Sequence, residues 1–282
     1  MMGTSSSSAR RSRISSDSPT KRYWDERAKA HAGSPSATTN DVHLRRLEAR
    51  TLLQSLRSLG IRPGTRVVDL GCGDGYSTLE LTRALPDVEF TGIDYSEEMI
   101  GLAKSAAAKA GASARRVHFA LGNVLELDPA WSSAPFDVAI TIRCLINVES
   151  LELQARAVEQ IATCLRPGGV YVAIENFIEG HNAMNKARLG VGLDEIPVRW
   201  HNRFFSESEV TGISEPYFDE IRFVDFASSY YFATRVVYSA MCRHLGEEPD
   251  YDHPIHRLAP DLPPVGGFSP VRKVELHRRR DQ

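Results

Sequence analysis

The sequence has no C-x-x-C pair. Its four cysteines, Cys72, Cys144, Cys164 and Cys242, stand far apart, so neither a thiolate zinc site nor a disulfide framework is indicated, and a reducing compartment is the default. His253-Pro254-Ile255-His256 is no better as a metal site: the proline disturbs the helix that would align the imidazoles, and no third ligand accompanies them. Bound metal is therefore not expected. An apolar run long enough to span a bilayer is missing, as is the hydrophobic segment of a secretory signal near the start. The expectation is a soluble, cytoplasmic protein with no membrane partner. An excess of one charge is missing too. The 34 Lys and Arg against 36 Asp and Glu give a formal net charge of −2, which provides no general field for a nucleic acid. No internal repeat is present.

What remains is an ordinary globular composition, 42% hydrophobic over 282 residues, enough for one α/β core with an elaboration. Residues 1–20 are Ser/Arg-rich with hardly any apolar side chain and are expected to be a disordered tail. The rest is expected to be a single domain over 21–282. Within it, Leu44, Leu47, Leu52, Leu56 and Leu59 recur at helical spacing before Gly60 and Pro63-Gly64, giving a helical cap over 21–64. From 65 to 175 strands and helices alternate, which predicts a parallel, doubly wound sheet. Two insertions, 176–205 and 228–268, follow, and Val271–Leu276 alternates like a strand exposed on one face.

The chemistry sits first in Val67-Val68-Asp69-Leu70-Gly71-Cys72-Gly73-Asp74-Gly75, an apolar strand that runs into alternating glycines and then a helix from Tyr76. Glycine is needed where the backbone turns sharply against a ligand. Tyr76 stands where the dinucleotide fingerprint places its third glycine, which argues against NAD or FAD. A second strand, Phe90–Asp94, ends in an acid 23 residues beyond Gly71, the interval of one strand-helix-strand unit. A third strand runs into Gly122-Asn123-Val124, a fourth spans Phe136–Ile142, and Leu165-Arg166-Pro167-Gly168-Gly169 leads into a fifth ending at Glu175.

In this ordered series, from about Val67 to about Glu175, the chain resembles the class I S-adenosylmethionine-dependent methyltransferases of small-molecule type. The resemblance implies a Rossmann-like, seven-stranded, mostly parallel sheet with substrate-side insertions, and S-adenosyl-L-methionine as cofactor. It implies that Asp69, Gly71, Cys72 and Gly73 cradle the cofactor and that Asp94, followed by Tyr95 and Met99, grips the ribose. Asn123 and Val124 would meet the adenine, and Ile142 would also contact the cofactor. The family often has Asp where this chain has Asn123; the amide oxygen can still accept from the adenine amino group. The N-terminal cap would fold over the cleft, with Tyr23 or Trp24 covering the sulfonium through a cation–π contact of about 0.5–2 kcal/mol. Both rings suit core capping equally well.

Residues just beyond strands four and five face the reacting centre in an open parallel sheet. They are Arg143, Glu175 and Asn176. An arginine fork holds a carboxylate and a carboxylate holds an ammonium or guanidinium, so the set fits a zwitterion, unless Arg143 and Glu175 pair with each other or Arg143 turns away. Glu179, Trp200, His201 and Asn202 in the first insertion add polar contacts, with Glu175 and His201 as the candidate catalytic groups. The preferred acceptor is a nitrogen of an amino or guanidino compound such as arginine. The alternatives are a sugar or specialised-metabolite O-methyltransferase and a non-catalytic cofactor-binding module. A small molecule is the expected partner, with a second copy of the chain as an option. Thr141–Asn147 offers neither the basic stripe nor the aromatic-proline motif of a nucleic-acid enzyme.

Overall fold

The computed structural model describes residues 18–280 apart from 33, 35 and 36. Seven strands, β1 (Arg66–Leu70), β2 (Glu89–Asp94), β3 (Val117–Leu121), β4 (Phe136–Ile142), β5 (Leu165–Asn176), β6 (Phe218–Asp225) and β7 (Val271–Arg278), form one sheet in the order β3-β2-β1-β4-β5-β7-β6. The first five are parallel, and β7 runs against both β5 and β6. The chain winds outward from β1 through β2 to β3, then returns to β4 on the other side of β1. The carboxyl ends of β1 and β4 therefore open a crevice, the place where such sheets bind ligands.

The helices are α1 (Pro19–Ala30), α2 (Val42–Ser58), α3 (Tyr76–Ala84), α4 (Glu97–Ala110), α5 (Ala130–Ser133), α6 (Leu151–Cys164), α7 (Ile178–Gly190), α8 (Glu207–Ser214), α9 (Ser228–Tyr231), α10 (Tyr238–Leu245) and α11 (Ile255–Leu258), with a π-helical turn, Phe232–Val237, joining α9 to α10. Their starts follow the local chemistry. Asp41, Ser96 and Ser150 accept the amides of Leu44, Met99 and Leu153 at 2.9, 3.1 and 3.3 Å, and Ser206 with Glu209 forms a capping box. Alternation along β1 splits the core. Val67 packs with Leu52 and Leu56 of α2, and Val68 and Leu70 pack with Ala157 and Ile161 of α6 on the opposite face.

Three expectations change. The Ser/Arg-rich tail lies almost wholly outside the described residues, and its last members, Ser18 to Thr20, cap and begin α1. The stretch read as a connection after Asn176 holds α7, whose buried face of Gly180, His181, Met184 and Asn185 mixes polar and small residues and so lacks an apolar stripe. The last strand is interior rather than exposed on one face. Lys273 and Glu275 are buried in it because Lys273 Nζ donates to Ser55 Oγ at 2.9 Å and Glu275 meets Arg222 and His277. No described helix is long and apolar enough to cross a membrane, and no described group of side chains has metal-ligand clustering.

Candidate active site

β1 ends in a loop that only glycine permits at Gly71. Its φ is +75°, and a Cβ there would lie 2.5 Å from Cys144 Sγ. The amides of Gly71 and Cys72 donate to the Ile93 carbonyl at 2.7 and 3.0 Å, which ties the loop to the end of β2. There the Asp94 carboxylate accepts from Gly73 N and Ser96 N, both at 2.9 Å, so one side chain joins the glycine loop to the start of α4. Asp69 accepts from Thr78 Oγ1 at 2.6 Å. Burial pushes Asp69 up to about 7 and Asp94 up to about 6, the two amides on Asp94 acting the other way.

Beyond this loop opens a cavity of about 830 Å³, within the range of cofactor and substrate sites. Asp69, Gly71, Cys72, Gly73, Asp94, Tyr95, Met99, Asn123, Val124 and Ile142 all line it. So do Arg143, Asn176, Trp200, His201 and Asn202. Buried polar atoms with no hydrogen-bond partner gather here: Tyr95 OH, Asn176 Oδ1 and His201 Nδ1. Buried polar groups are nearly always satisfied, so these atoms, with the side-chain-free cradle at Gly71 and the Asp94 carboxylate, fit a polar ligand of nucleoside size.

Four expected residues fall differently. Glu175 is only 2% exposed and does not line the cavity; its carboxylate accepts from Thr141 Oγ1 at 2.9 Å and from the amides of Cys144, Leu145 and Ile146 at 3.1, 3.0 and 3.3 Å. It is the anchor of the turn after β4, although burial pushes it up to about 7 against those four donors. Glu175→Ala should orphan them and leave a cavity, costing about 2–5 kcal/mol, which a thermal melt would register as a fall on the order of 10 °C. Glu179 is exposed on the first turn of α7 and accepts from Glu207 N at 3.0 Å. Arg143 does not meet Glu175. Its backbone takes a left-handed φ of 50°, and its Nε lies 2.9 Å from Oε1 of the fully buried Glu48. Tyr23 stands outside the cavity lining and stacks on His201 at 4.3 Å, while its neighbour Trp24 lines the cavity and donates to Asn147 Oδ1 at 3.3 Å.

That aromatic contact makes α1 a roof. Asn202 Nδ2 reaches the same Asn147 oxygen at 3.2 Å, and Trp200, 67% exposed, sets its ring edge-on to Tyr23 at 6.0 Å. Desolvation lowers the His201 imidazole, which keeps it neutral.

The cavity wall also contains residues that no sequence motif marks. Asp41, the N-cap of α2, and Arg45 and Glu48, four and seven positions on, form a polar face beside the leucine stripe. Arg45 pairs with Asp74 of the glycine loop and covers the Tyr76 ring at 4.2 Å. From the second insertion come Tyr231, Arg235, Tyr251 and His256, with Arg235 carried on the π-helical turn and paired with Asp41. Such turns favour functional positions.

Residues 61–190 match the family model described as a methyltransferase domain. The O-methyltransferase rstn1 of Aspergillus nomiae is 29% identical over 64% of this chain and 69% of its own length. The demethylmenaquinone methyltransferase of Staphylococcus aureus is 32% identical over 43% of this chain, which spans under half of that relative, 46%. The crystal structure of magnesium protoporphyrin IX methyltransferase from Synechocystis, with bound S-adenosylhomocysteine, superposes with a TM-score of 0.59 at 16% identity, covering 92% of this chain and 97% of that one; at that identity the likeness concerns the fold. A glycine loop sealed by Cys144, an acid ending β2, a β7 reversed between β5 and β6, and relatives that share the domain lead to one assignment: residues 61–190 are a methyltransferase domain, in a chain with the fold of the S-adenosylmethionine-dependent methyltransferases.

Proposed function

We propose that this enzyme methylates a hydroxyl group on a small, flat, uncharged acceptor. The observation that carries the reading is the internal pairing of the acceptor wall: Arg143 is matched by Glu48 and Arg235 by Asp41, so neither guanidinium is left to clamp an acceptor carboxylate. Glu175, the group expected to hold an ammonium, is spent on the turn after β4. The amino or guanidino acceptor therefore loses the pair of side chains on which it rested. In their place the wall offers Trp24, Trp200, Tyr231 and Tyr251, faces suited to an aromatic ring. The fungal relative's name, an O-methyltransferase, points the same way.

The cofactor supplies an already activated methyl group, so the chain's own work is alignment and exclusion of water. Asp94 and the glycine loop hold one half of the cavity. Asn176 and His201, each with an unpartnered buried atom, orient what enters the other half, and α1 covers both. A methyl-labelled transfer screen over phenols, sugars, amino acids and guanidino compounds tests the reading. Label should appear in the phenol pool; label confined to the amino-acid or guanidino pools would overturn it.

A further inference from the structure

His256 is the end of a three-member chain that the second insertion builds against α2. Tyr230 OH lies 2.6 Å from Asp41 Oδ1 and 3.2 Å from His256 Nδ1. All three side chains are buried, and Asp41 and His256 line the cavity. A phenol has one proton to donate. Burial alone would raise Asp41, but Arg235 and the Tyr230 hydroxyl outweigh it and hold the carboxyl lowered, hence ionised and able only to accept. The Tyr230 proton must therefore point at Asp41, and the phenol oxygen can only accept from His256. That fixes His256 as the Nδ1–H tautomer, with its lone pair on Nε2. Nε2 has no hydrogen-bond partner among the described residues, and the side chain that carries it lines the cavity.

We propose that His256 is a specificity-determining residue of the acceptor site, whose Nε2, locked as a hydrogen-bond acceptor by Asp41 and Tyr230, selects a group that carries a hydrogen and turns away carboxylates. The inference rests on the hydroxyl-acceptor reading above and deepens it. A carboxylate placed against Nε2 would meet lone pair with lone pair, and the ring cannot relieve the clash by switching tautomer without breaking the Tyr230 contact. Nor does it relieve the clash by taking a proton: burial, then Arg235, push the imidazole down to about 4, with His43 and His253 acting in the same direction and Asp41 opposing. Arg235, the cation that acts most strongly on His256, is engaged by Asp41.

The test is nitrogen NMR on full-length protein labelled at histidine and saturated with S-adenosylhomocysteine, titrated with 4-methoxyphenol and with 4-methoxybenzoate. The wild type should show His256 protonated at Nδ1 and bare at Nε2, and the phenol, not the benzoate, should move the Nε2 resonance. Tyr230→Phe, a gentle change to the core, should mix the tautomers and cut the preference for phenol over benzoate about fivefold, the weight of one hydrogen bond. A proton on Nε2 in the wild type, an equal response to benzoate, no response to phenol, or unchanged selectivity in Tyr230→Phe would each overturn the proposal. Failure of the underlying reading is separate and visible elsewhere, as a protein that does not bind S-adenosylhomocysteine in a calorimetric titration or that transfers label only to nitrogen acceptors.

Discussion

Asp94→Ala should weaken S-adenosylmethionine binding by roughly 100-fold or more. In the ribose-gripping role that the family resemblance implies for Asp94, two charge-assisted hydrogen bonds to hydroxyls would contribute about 1.5–3 kcal/mol each, and the same carboxylate holds Gly73 N and Ser96 N at 2.9 Å, so its loss also frees the glycine loop. The wild type should carry a matching pH signature. Burial has pushed Asp94 up to about 6; in that role only the ionised form would accept from both hydroxyls. Affinity should therefore rise as pH increases through about 6 and fall below it, and Asp94→Ala should lose that step. Calorimetric titrations of both proteins from pH 5 to 8 decide the matter, and an affinity unaltered by the substitution would remove Asp94 from the ribose site.

Gly180→Ala should be the most damaging one-methyl change outside the glycine loop. A Cβ on Gly180 would collide with the carbonyl oxygen of Ser269, and that obstacle is backbone, locked by Ser269 Oγ donating to the Val271 carbonyl at 2.6 Å and by the hydrogen bond from Phe177 N to the Pro270 carbonyl. Overpacking against a flexible side chain costs about 1–3 kcal/mol; against fixed backbone the upper end or beyond is expected. A fall in melting temperature on the order of 10 °C follows for a chain of this size. Turnover should fall with it, because α7 also carries His181, Met184 and Arg188 into the cavity. A melting temperature within a degree of wild type would mean that α7 can slide away from the Ser269 segment.

Much of this was legible in the residues themselves. Val67 to Gly75 announced a strand and a ligand turn, because alternating glycines after an apolar run have few other uses. Helix starts are local in the same way: Ser96, Ser150 and Ser206 each accept from an amide three positions on. The acceptor wall was not legible for the opposite reason. Asp41 meets Tyr230 across 189 positions and Arg143 meets Glu48 across 95, and nothing local to either partner announces the other. Glu175 misled because its place at the end of β5 is that of a substrate-facing residue, whereas its carboxylate turns sideways into three amides of the neighbouring turn. The helix α7 escaped notice because its buried face holds Gly180, His181 and Asn185 rather than a run of large apolar side chains.

The roof formed by α1 differs from the rest of the shell in what holds it down. Of its described residues only Ala28 is buried; its other ties include the Tyr23 stack on His201, the Trp24 bond to Asn147, the Asp25 contact with Ser96, the Arg27 bonds to the Ala37 carbonyl and Asn40 Oδ1 at 3.0 and 3.1 Å, and the pairing of Lys29 with Glu98 at 3.2 Å. Such contacts are exchanged for water at far lower free energy than the packed faces of the sheet. Amides along Pro19–Ala30 should consequently trade hydrogen for deuterium well before those of β1 and β4, and bound ligand should slow them. The molecule can admit cofactor and release product by the breathing of one helix while the seven strands stay closed.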